Sequence, residues 1–477
     1  MIAHQTALFD LAALGAAGDG ITDNTQVFRE ALAACAKAGG GTVVVPAGRF
    51  MTGPFQIFSN TEFRVEAGAE ILASTNIEDY FVDGSSMESS RIGLIYARKA
   101  ENITVTGRGS IDFQGTAFMD MTKLTPWVDF DREGTRNLVN FLNGTGNIGD
   151  GPVMVLDRPG NLVQFLDCQN VVLSQLTLKN APNWTVQFGN SRDIFVHGLR
   201  ILNNLLIANS DGVHCTSCSN VHISDCHIES GDDSIAITSL TAAGRACENV
   251  TVTNCTLLSR SAGIRVGYGE GDIRNCLFQN LTIEANRGLA VFARNNYTIS
   301  EISFDHINIR TRLHDGQWWG HGEPIHVSAV RADADIPAGT IRNISFSRIT
   351  AESESGIVIY ASEKGQLSQL RLQEIYLTIK TGSLAKAYGG NFDLRPAFDP
   401  KEKLFEHDEG GLFAQNVAYL RVKDLTLLWE GTPAETFTYG LYAEGCDEVS
   451  VQAFRCPANQ GKPNLRTIEL KNCTVEN

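Results

Sequence analysis

The sequence predicts an all-β chain wound as a single-stranded parallel β-helix, with one helix covering its N-terminal end. Three observations carry this. A short pattern, apolar-x-apolar-x-polar-apolar-x-apolar, recurs along the 477 residues. Its copies begin at intervals close to 25 residues, a period of stacked rather than self-sufficient units. Glycine outnumbers proline by 45 to 13, which indicates many tight turns within ordered structure.

The elements follow in order. Gly18-Asp19-Gly20-Ile21-Thr22-Asp23-Asn24-Thr25 precedes an amphipathic stretch, Val27 to Ala36, that reads as a capping helix with Asn24 or Thr25 at its N-cap. Its expected work is to cover the exposed first strands. A weak copy of the repeat begins at Ile103. Strong copies begin at Val171, Ile194, Val221, Val250, Cys276, Ile302, Ile344 and Leu370, separated by 23, 27, 29, 26, 26, 42 and 26 residues, and a late one begins at Leu420. Alternation over four or five residues makes a short strand with one buried face, and the extra residue before the next apolar pair marks a bend into another strand. Such strands cannot bury their faces alone and must stack. Equivalent positions of successive coils then lie about 4.8 Å apart, so thiols and turn asparagines can form ladders. Leucine-rich horseshoes need a Leu-x-x-Leu-x-Leu consensus that is missing, and a propeller needs about 40 residues per blade. Without a linker or composition shift, residues 1–477 read as one domain with insertions near 311–335 and 380–412. Long insertions in a solenoid collect on one face and build its binding site.

Composition bounds the partners. With 39 Lys+Arg against 54 Asp+Glu, the formal charge is −15, which disfavours nucleic acid. No apolar run approaches the roughly 18 residues of a membrane span. The most apolar early stretch, Leu8 to Ala17, carries Asp10 and has no basic flank, so it makes a poor signal peptide and the expected location is cytoplasmic. The eleven cysteines read as free buried thiols, with Cys226, Cys255 and Cys276 in one recurring context. Only Cys215 and Cys218 have Cys-x-x-Cys spacing, and no second pair completes a zinc site. Neither metal nor cofactor is expected, and oligomeric state is not legible.

Three acids stand out: Asp211 in Ala208-Asn209-Ser210-Asp211-Gly212-Val213-His214, and the pair in Ser230-Gly231-Asp232-Asp233-Ser234. They are 21 and 22 residues apart, close to one coil, so stacking brings them to neighbouring rungs. Clustered carboxylates repel, which raises the pKa of one while another stays ionised, and that arrangement serves acid/base chemistry at a glycosidic bond. Alternatively, Asp at a strand-to-turn junction caps the turn, or a carboxylate cluster holds calcium.

In order along residues 9 to 310, Gly18-Asp19-Gly20, Arg158-Pro159, Asn180-Ala181-Pro182-Asn183-Trp184, Asn209-Ser210-Asp211 and Gly231-Asp232-Asp233 resemble the motifs of the polygalacturonase family, glycoside hydrolase family 28. The resemblance implies a right-handed β-helix that hydrolyses glycosidic bonds with inversion and without metal. Asp232 would protonate the leaving oxygen, and Asp211 and Asp233 would activate water. The chain departs from the pattern where the family shows Gly-His-Gly, since it reads Ser261-Ala262-Gly263. Where the family's Arg-Ile-Lys grips a galacturonate carboxylate, it offers Ala290 and Phe292. Losing two charge-assisted contacts, each worth about 1.5–3 kcal/mol, disfavours plain polygalacturonan. Arg265 and Arg294, spaced by 29 residues, are candidates to replace that charge. In the insertions, Trp318 offers a face for a sugar ring, His321 and Glu323 offer contacts for hydroxyls, and Arg395 is a further ligand candidate. Alternatively the tryptophans seal the loop against the coil, while His314 and His326 read as structural. The expected substrate is an oligosaccharide containing rhamnose, galactose, fructose or arabinose. Intramolecular glycosyl transfer, lysis, and non-catalytic carbohydrate binding are the competing readings.

Overall fold

The computed structural model describes residues 7–85, 88–125, 148–239, 245–314, 316, 318–388 and 391–476. Asp315, Gln317, Gly389 and Gly390 of the two insertions lie outside these. The chain packs as two compact units, one of Met1–Thr125 with Val153–Asp232 and one of Pro126–Pro152 with Asp233–Asn477. Both are built as a right-handed parallel β-helix, the fold expected from the repeats.

In the first unit three columns of parallel strands stand side by side. One contains Gly41–Val45, Thr61–Val65, Glu101–Gly107, Gln169–Ser174, Arg192–His197 and Ser219–Ser224. The second contains Phe55–Gln56, Ile95–Arg98, Val163–Leu166, Val186–Gly189 and Val213–Thr216. The third runs through Gly48–Thr52, Ala69–Ala73, Ser110–Asp112, Thr177–Lys179, Arg200–Leu202 and His227–Ser230. Alternation in the sequence becomes alternation in burial: Ile103, Val171, Ile194 and Val221 stack in register in the interior, with polar neighbours outside.

In the second unit two of the columns fuse. Strands Ile273–Ala285, Thr298–Thr311, Thr340–Ser353, Leu367–Lys380 and Val417–Glu430 run continuously through the predicted bends, and Val250, Cys276, Ile302, Ile344, Leu370 and Leu420 form one stacked row. A residue with positive φ makes each bend: Asn280, His306, Arg348, Glu374 and Asp424 at φ between 52° and 55°. Asparagine tolerates this left-handed conformation best, yet the later coils impose it on histidine, arginine and glutamate, so the stack dictates the bend. Where asparagines coincide they form the expected ladder, as in Asn275 Nδ2 donating to Asn249 Oδ1 at 2.7 Å. The other column of this unit carries Ile235–Ser239, Ala262–Gly269, Arg287–Ala293, Ile325–Ala329 and Ile357–Ala361.

One local expectation needs correction, at the N-cap. None of the eleven cysteines is in a disulfide, and Cys276 stacks between Val250 and Ile302 in the place of an aliphatic side chain. Cys226 donates its S–H to the Ser224 carbonyl at 3.1 Å, and Cys255 to that of Thr253 at 3.3 Å. The helix spans Thr25–Lys37 and buries Phe28, Ala31, Leu32 and Cys35, the spacing of one helical face. Phe28 lies 5.2 Å from Phe55 and 6.3 Å from Phe63, which places the helix over the first strands. Asn24 sits at its N-cap without capping it, because its amide bonds the carbonyls of Ala17, Thr22 and Met51. Asp23 takes the Thr25 N–H instead, at 2.9 Å. No helix among the described residues is long and apolar enough to cross a membrane.

The interior aromatic stack tests the register. Phe278, Phe304 and Phe346 lie face to face with centroids 4.9 Å apart at both steps. Replacing the middle ring, Phe304→Ala, is expected to cost about 3–5 kcal/mol, because rigid neighbours on both sides prevent collapse of the cavity. A lowered urea midpoint with an unchanged slope in chemical denaturation would show it.

Candidate active site

In both units the functional side chains stand where one strand column turns into the next. In the first unit, Asp211 precedes Val213–Thr216 and Asp232 follows His227–Ser230. Asn209 makes the turn at φ 56°, and its backbone N–H donates to Asp232 Oδ2 at 3.2 Å. The neighbouring turn is fixed by Asn203, whose amide bonds Thr185 Oγ1 at 2.7 Å and the Ser210 carbonyl at 3.0 Å. Gly231 is required: its N–H donates to Ser210 Oγ at 2.9 Å, and a Cβ there would overlap the Ile207 carbonyl oxygen.

Asp211 and Asp232 are nearly enclosed, at 3% and 7% exposure, and the charges of both act on one buried cation. Arg158 donates to the carbonyls of Pro182 and Ala208 at 2.9 and 3.0 Å and to Asn209 Oδ1 at 2.9 Å. Burial lowers the pKa of this guanidinium, while the charges of Glu88, Asp211 and Asp232 oppose that shift. Asp211 Oδ2 and His214 Nδ1 share a hydrogen bond of 3.0 Å, and Trp184 stacks on the His214 ring with centroids 3.7 Å apart. One carboxylate is thus braced by an imidazole while the other accepts from a backbone N–H.

Asp233 opens the second unit. Its Oδ1 accepts from Ser261 Oγ and Ala262 N at 3.2 Å each, and its Oδ2 pairs with Arg265 Nε. Arg265 also donates to Thr238 Oγ1 at 3.2 Å and to the Gly267 carbonyl at 2.9 Å. It is therefore anchored on Asp233.

Ala262, Ala290 and Phe292 form a closed apolar cluster. The guanidinium groups of Arg287 and Arg294 lie over the Phe292 ring, 5.0 and 4.7 Å from its centroid. Arg294, taken from the sequence as a ligand candidate, is 1% exposed. It donates to Ser328 O and Oγ at 3.0 Å each and to Leu394 O at 2.9 Å. Burial, with Arg287 nearby, lowers it to about 10 against the opposing influence of Tyr297 and Asp393.

The insertions close on each other through buried charges. Arg395 grips Asp393 through Nε and Nη2 at 2.8 and 3.0 Å and donates to Trp318 O at 3.1 Å. Arg287 reaches Glu323 Oε1 at 3.2 Å and Asp393 O at 2.8 Å. His326 Nδ1 bonds Glu323 Oε1 at 3.0 Å, and the His321 N–H donates to Glu323 Oε2 at 2.5 Å. Trp318, His321, Glu323 and Arg395 are thus all buried, and Trp318 fixes its indole by donating to Asp150 O at 3.0 Å. Trp319 is the half-buried tryptophan, with Arg395 4.7 Å from its ring. These contacts match the alternative in which the loop seals against the coil.

The comparisons with known proteins agree with this architecture. The model of glycosyl hydrolases family 28 matches residues 35–388, more than half of the chain. The chain belongs to that family. A probable polygalacturonase of Vitis vinifera is 31% identical over 250 residues, 50% of this chain, and the match spans 45% of that relative's own length. Among solved structures, an exopolygalacturonase from Thermotoga maritima superposes with a TM-score of 0.62 at 22% identity, covering 78% of this chain and 87% of that one. A family 28 exopolygalacturonase of Yersinia enterocolitica gives 0.66 at 16% identity, covering 95% and 79%.

Within the family 28 framework, the sequence reading missed several residues. His214 had a signal in its spacing three residues after Asp211, and Trp184 and Arg158 lay inside motifs already singled out. Asp393 had the signal of a second charge two residues from Arg395. Arg260 and Arg312 had none. Among the described residues, no group of three His, Cys, Asp or Glu is placed to hold a metal ion.

The buried network makes stability depend on pH. Burial, with Arg287 nearby, lowers His326 from 6.5 to about 4. Burial would raise Glu323, but Arg287 and the hydrogen bond from His326 carry it from 4.5 to about 2. The unfolded chain binds more protons than the folded one in both windows, so stability falls as pH drops from 6.5 to 4 and again from 4.5 to 2. His326→Gln is expected to flatten the upper window, measured as thermal midpoint against pH.

Proposed function

We propose that the protein is an inverting glycosidase whose acid is Asp232, with Asp211 and Asp233 directing water. The observation that supports it best is the shared environment of Asp211 and Asp232 around the buried Arg158, with one carboxylate braced by His214. Two acids of unlike surroundings are what separate acid and base assignments require. Asp232 accepts a hydrogen bond from the Asn209 N–H at 3.2 Å, while Asp233, next in sequence, pairs with Arg265 and accepts from Ser261 and Ala262. This favours Asp232 as the proton donor.

The substrate we propose is a glycan with a neutral sugar at the position that the family's Arg-Ile-Lys serves. Ala290 and Phe292 supply no charge there, and the arginines beside Phe292 are buried and turned toward Glu323, Ser328 and backbone carbonyls. A uronate carboxylate at that place would lose water without gaining a partner, at a cost of several kcal/mol. Rhamnose- or galactose-containing pectic oligosaccharides fit that restriction, and plain polygalacturonan does not.

Asp232→Asn is expected to lower kcat at least about 10³-fold while changing KM little, because it removes a proton needed only in the transition state. Proton NMR of the fresh product should show the anomer opposite to that cleaved. Turnover that survives the substitution, or retention of configuration, would sink the mechanism. Turnover on defined neutral-sugar oligosaccharides should exceed that on polygalacturonan, and equal rates would refute the substrate reading. Turnover on no glycan would favour a non-catalytic binder.

A further inference from the structure

In the second unit the edge that carries Asp233 continues into the next turn, where Arg260 immediately precedes the Ser261 that donates to Asp233. Arg260 pairs with a different carboxylate. Its Nη2 lies 3.3 Å from Asp150 Oδ1, while Arg312, at the start of the first insertion, lies 3.2 Å from Asp150 Oδ2. One carboxylate is thus held by two guanidinium groups, one to each oxygen. The two arginines come from turns far apart in sequence, and the Asp150 backbone is pinned by the Trp318 indole.

The cluster has capacity that Asp150 does not use. Arg260 Nε is buried without a hydrogen-bond partner, and so is Nδ1 of His314, a side chain 5% exposed. His314 follows Arg312 by two residues, and the charges of Arg312, Arg260 and Asp150 all act on it. Burial and the two arginines hold it at about 3, hence neutral and able to share a hydrogen bond with a hydroxyl. Glu354 also borders Arg312, accepting from Leu313 N at 2.9 Å, and Glu284 lies near Arg260. Unlike Arg287 and Arg294, Arg312 keeps 44% of its side chain exposed, so a ligand can reach it.

We propose that Arg260, Arg312 and His314 form a binding site for a sugar acid, with the carboxylate on the two arginines and an adjacent hydroxyl on His314, and that the Asp150 carboxylate occupies it as an internal stand-in. A ligand displaces only the Asp150 side chain, because the backbone stays tied to Trp318. The site is distinct from the position of Ala290 and Phe292, so one glycan can present a neutral sugar there and an acidic one here. The identity of the ligand as a sugar rests on the glycosidase reading, whereas the binding itself does not.

Calorimetric titration of the full chain with D-galacturonate, D-galactose and acetate tests it. D-galacturonate is expected to bind, and the other two to bind at least about tenfold more weakly. Asp150→Ala should tighten D-galacturonate about tenfold by removing the competitor, and Arg312→Ala should weaken it by about tenfold or more. Arg312→Lys, which keeps the charge without the fork, should fall between and carries the test if the alanine variant does not fold. Unchanged affinity in the Arg312 variants, weaker binding in Asp150→Ala, or equal binding of galactose or acetate would overturn the proposal. In Asp232→Asn, D-galacturonate binding should persist without turnover, which separates this site from the catalytic reading.

Discussion

The register between neighbouring strands is the constraint on which the rest depends. Rungs about 4.8 Å apart stack equivalent residues into rows, so a turn residue in one coil is delivered beside its counterpart in the next. The price is backbone strain: among the described residues, thirty-one non-glycine residues have positive φ, many at repeated bends. A single left-handed residue costs about 1–2 kcal/mol. The stack offsets that cost because a residue that refused the bend would break two ladders and move a buried row to the surface. The turns inherit this rigidity, and Asn209 aims its N–H at Asp232.

The insertions obey a different rule. Charges taken out of water are tolerated only when each finds an opposite charge or a full set of hydrogen bonds. Asp393 meets this with Arg395, whose fork and nearby Arg287 hold its carboxyl well below the usual range in spite of burial. Arg294 donates to neutral acceptors and leaves its Nε unpaired, and its lowered pKa records the difference. Once Glu323 and Asp393 are satisfied in this way, neither has room for a sugar hydroxyl. Their work is to hold the two insertions together and, through Arg395, to support the ring of Trp319.

The division between what the sequence revealed and what it hid follows the same physics. Strand rows were legible because burial selects side chains at a period of two, and the rows from Val250 to Leu420 lie where the pattern put them. Asp211 and Asp232 were legible because stacking converts a separation of one coil into adjacency. Long-range partners within the insertions were not, since nothing in Trp318-Trp319-Gly320-His321 indicates that Arg395 will reach back 77 residues to Trp318. Burial was misjudged for a related reason. Arg294, Trp318, His321, Glu323 and Arg395 look like ligand contacts when considered singly, because charged and aromatic loop residues are usually exposed. They become interior residues only when the second insertion covers the first. At Ala290 and Phe292, where the family motif would place cations, Arg287 and Arg294 bring positive charge to the Phe292 ring from neighbouring positions.

That return of charge without access bears on how specificity changes in such a fold. Along the column Arg265, Ala290 and His326, successive rungs present side chains to one face, and the insertion residues bury that face. Arg287 and Arg294 are almost fully buried beneath that face, each with its Nε left unpaired. The turn edge is different. Its residues project past the strands, and at Arg312 the chain keeps a cation half in water, where pairing is cheap to exchange. Covering the strand face therefore moves charge recognition out to the turns, and it does so without disturbing the register that holds Asp233 in place.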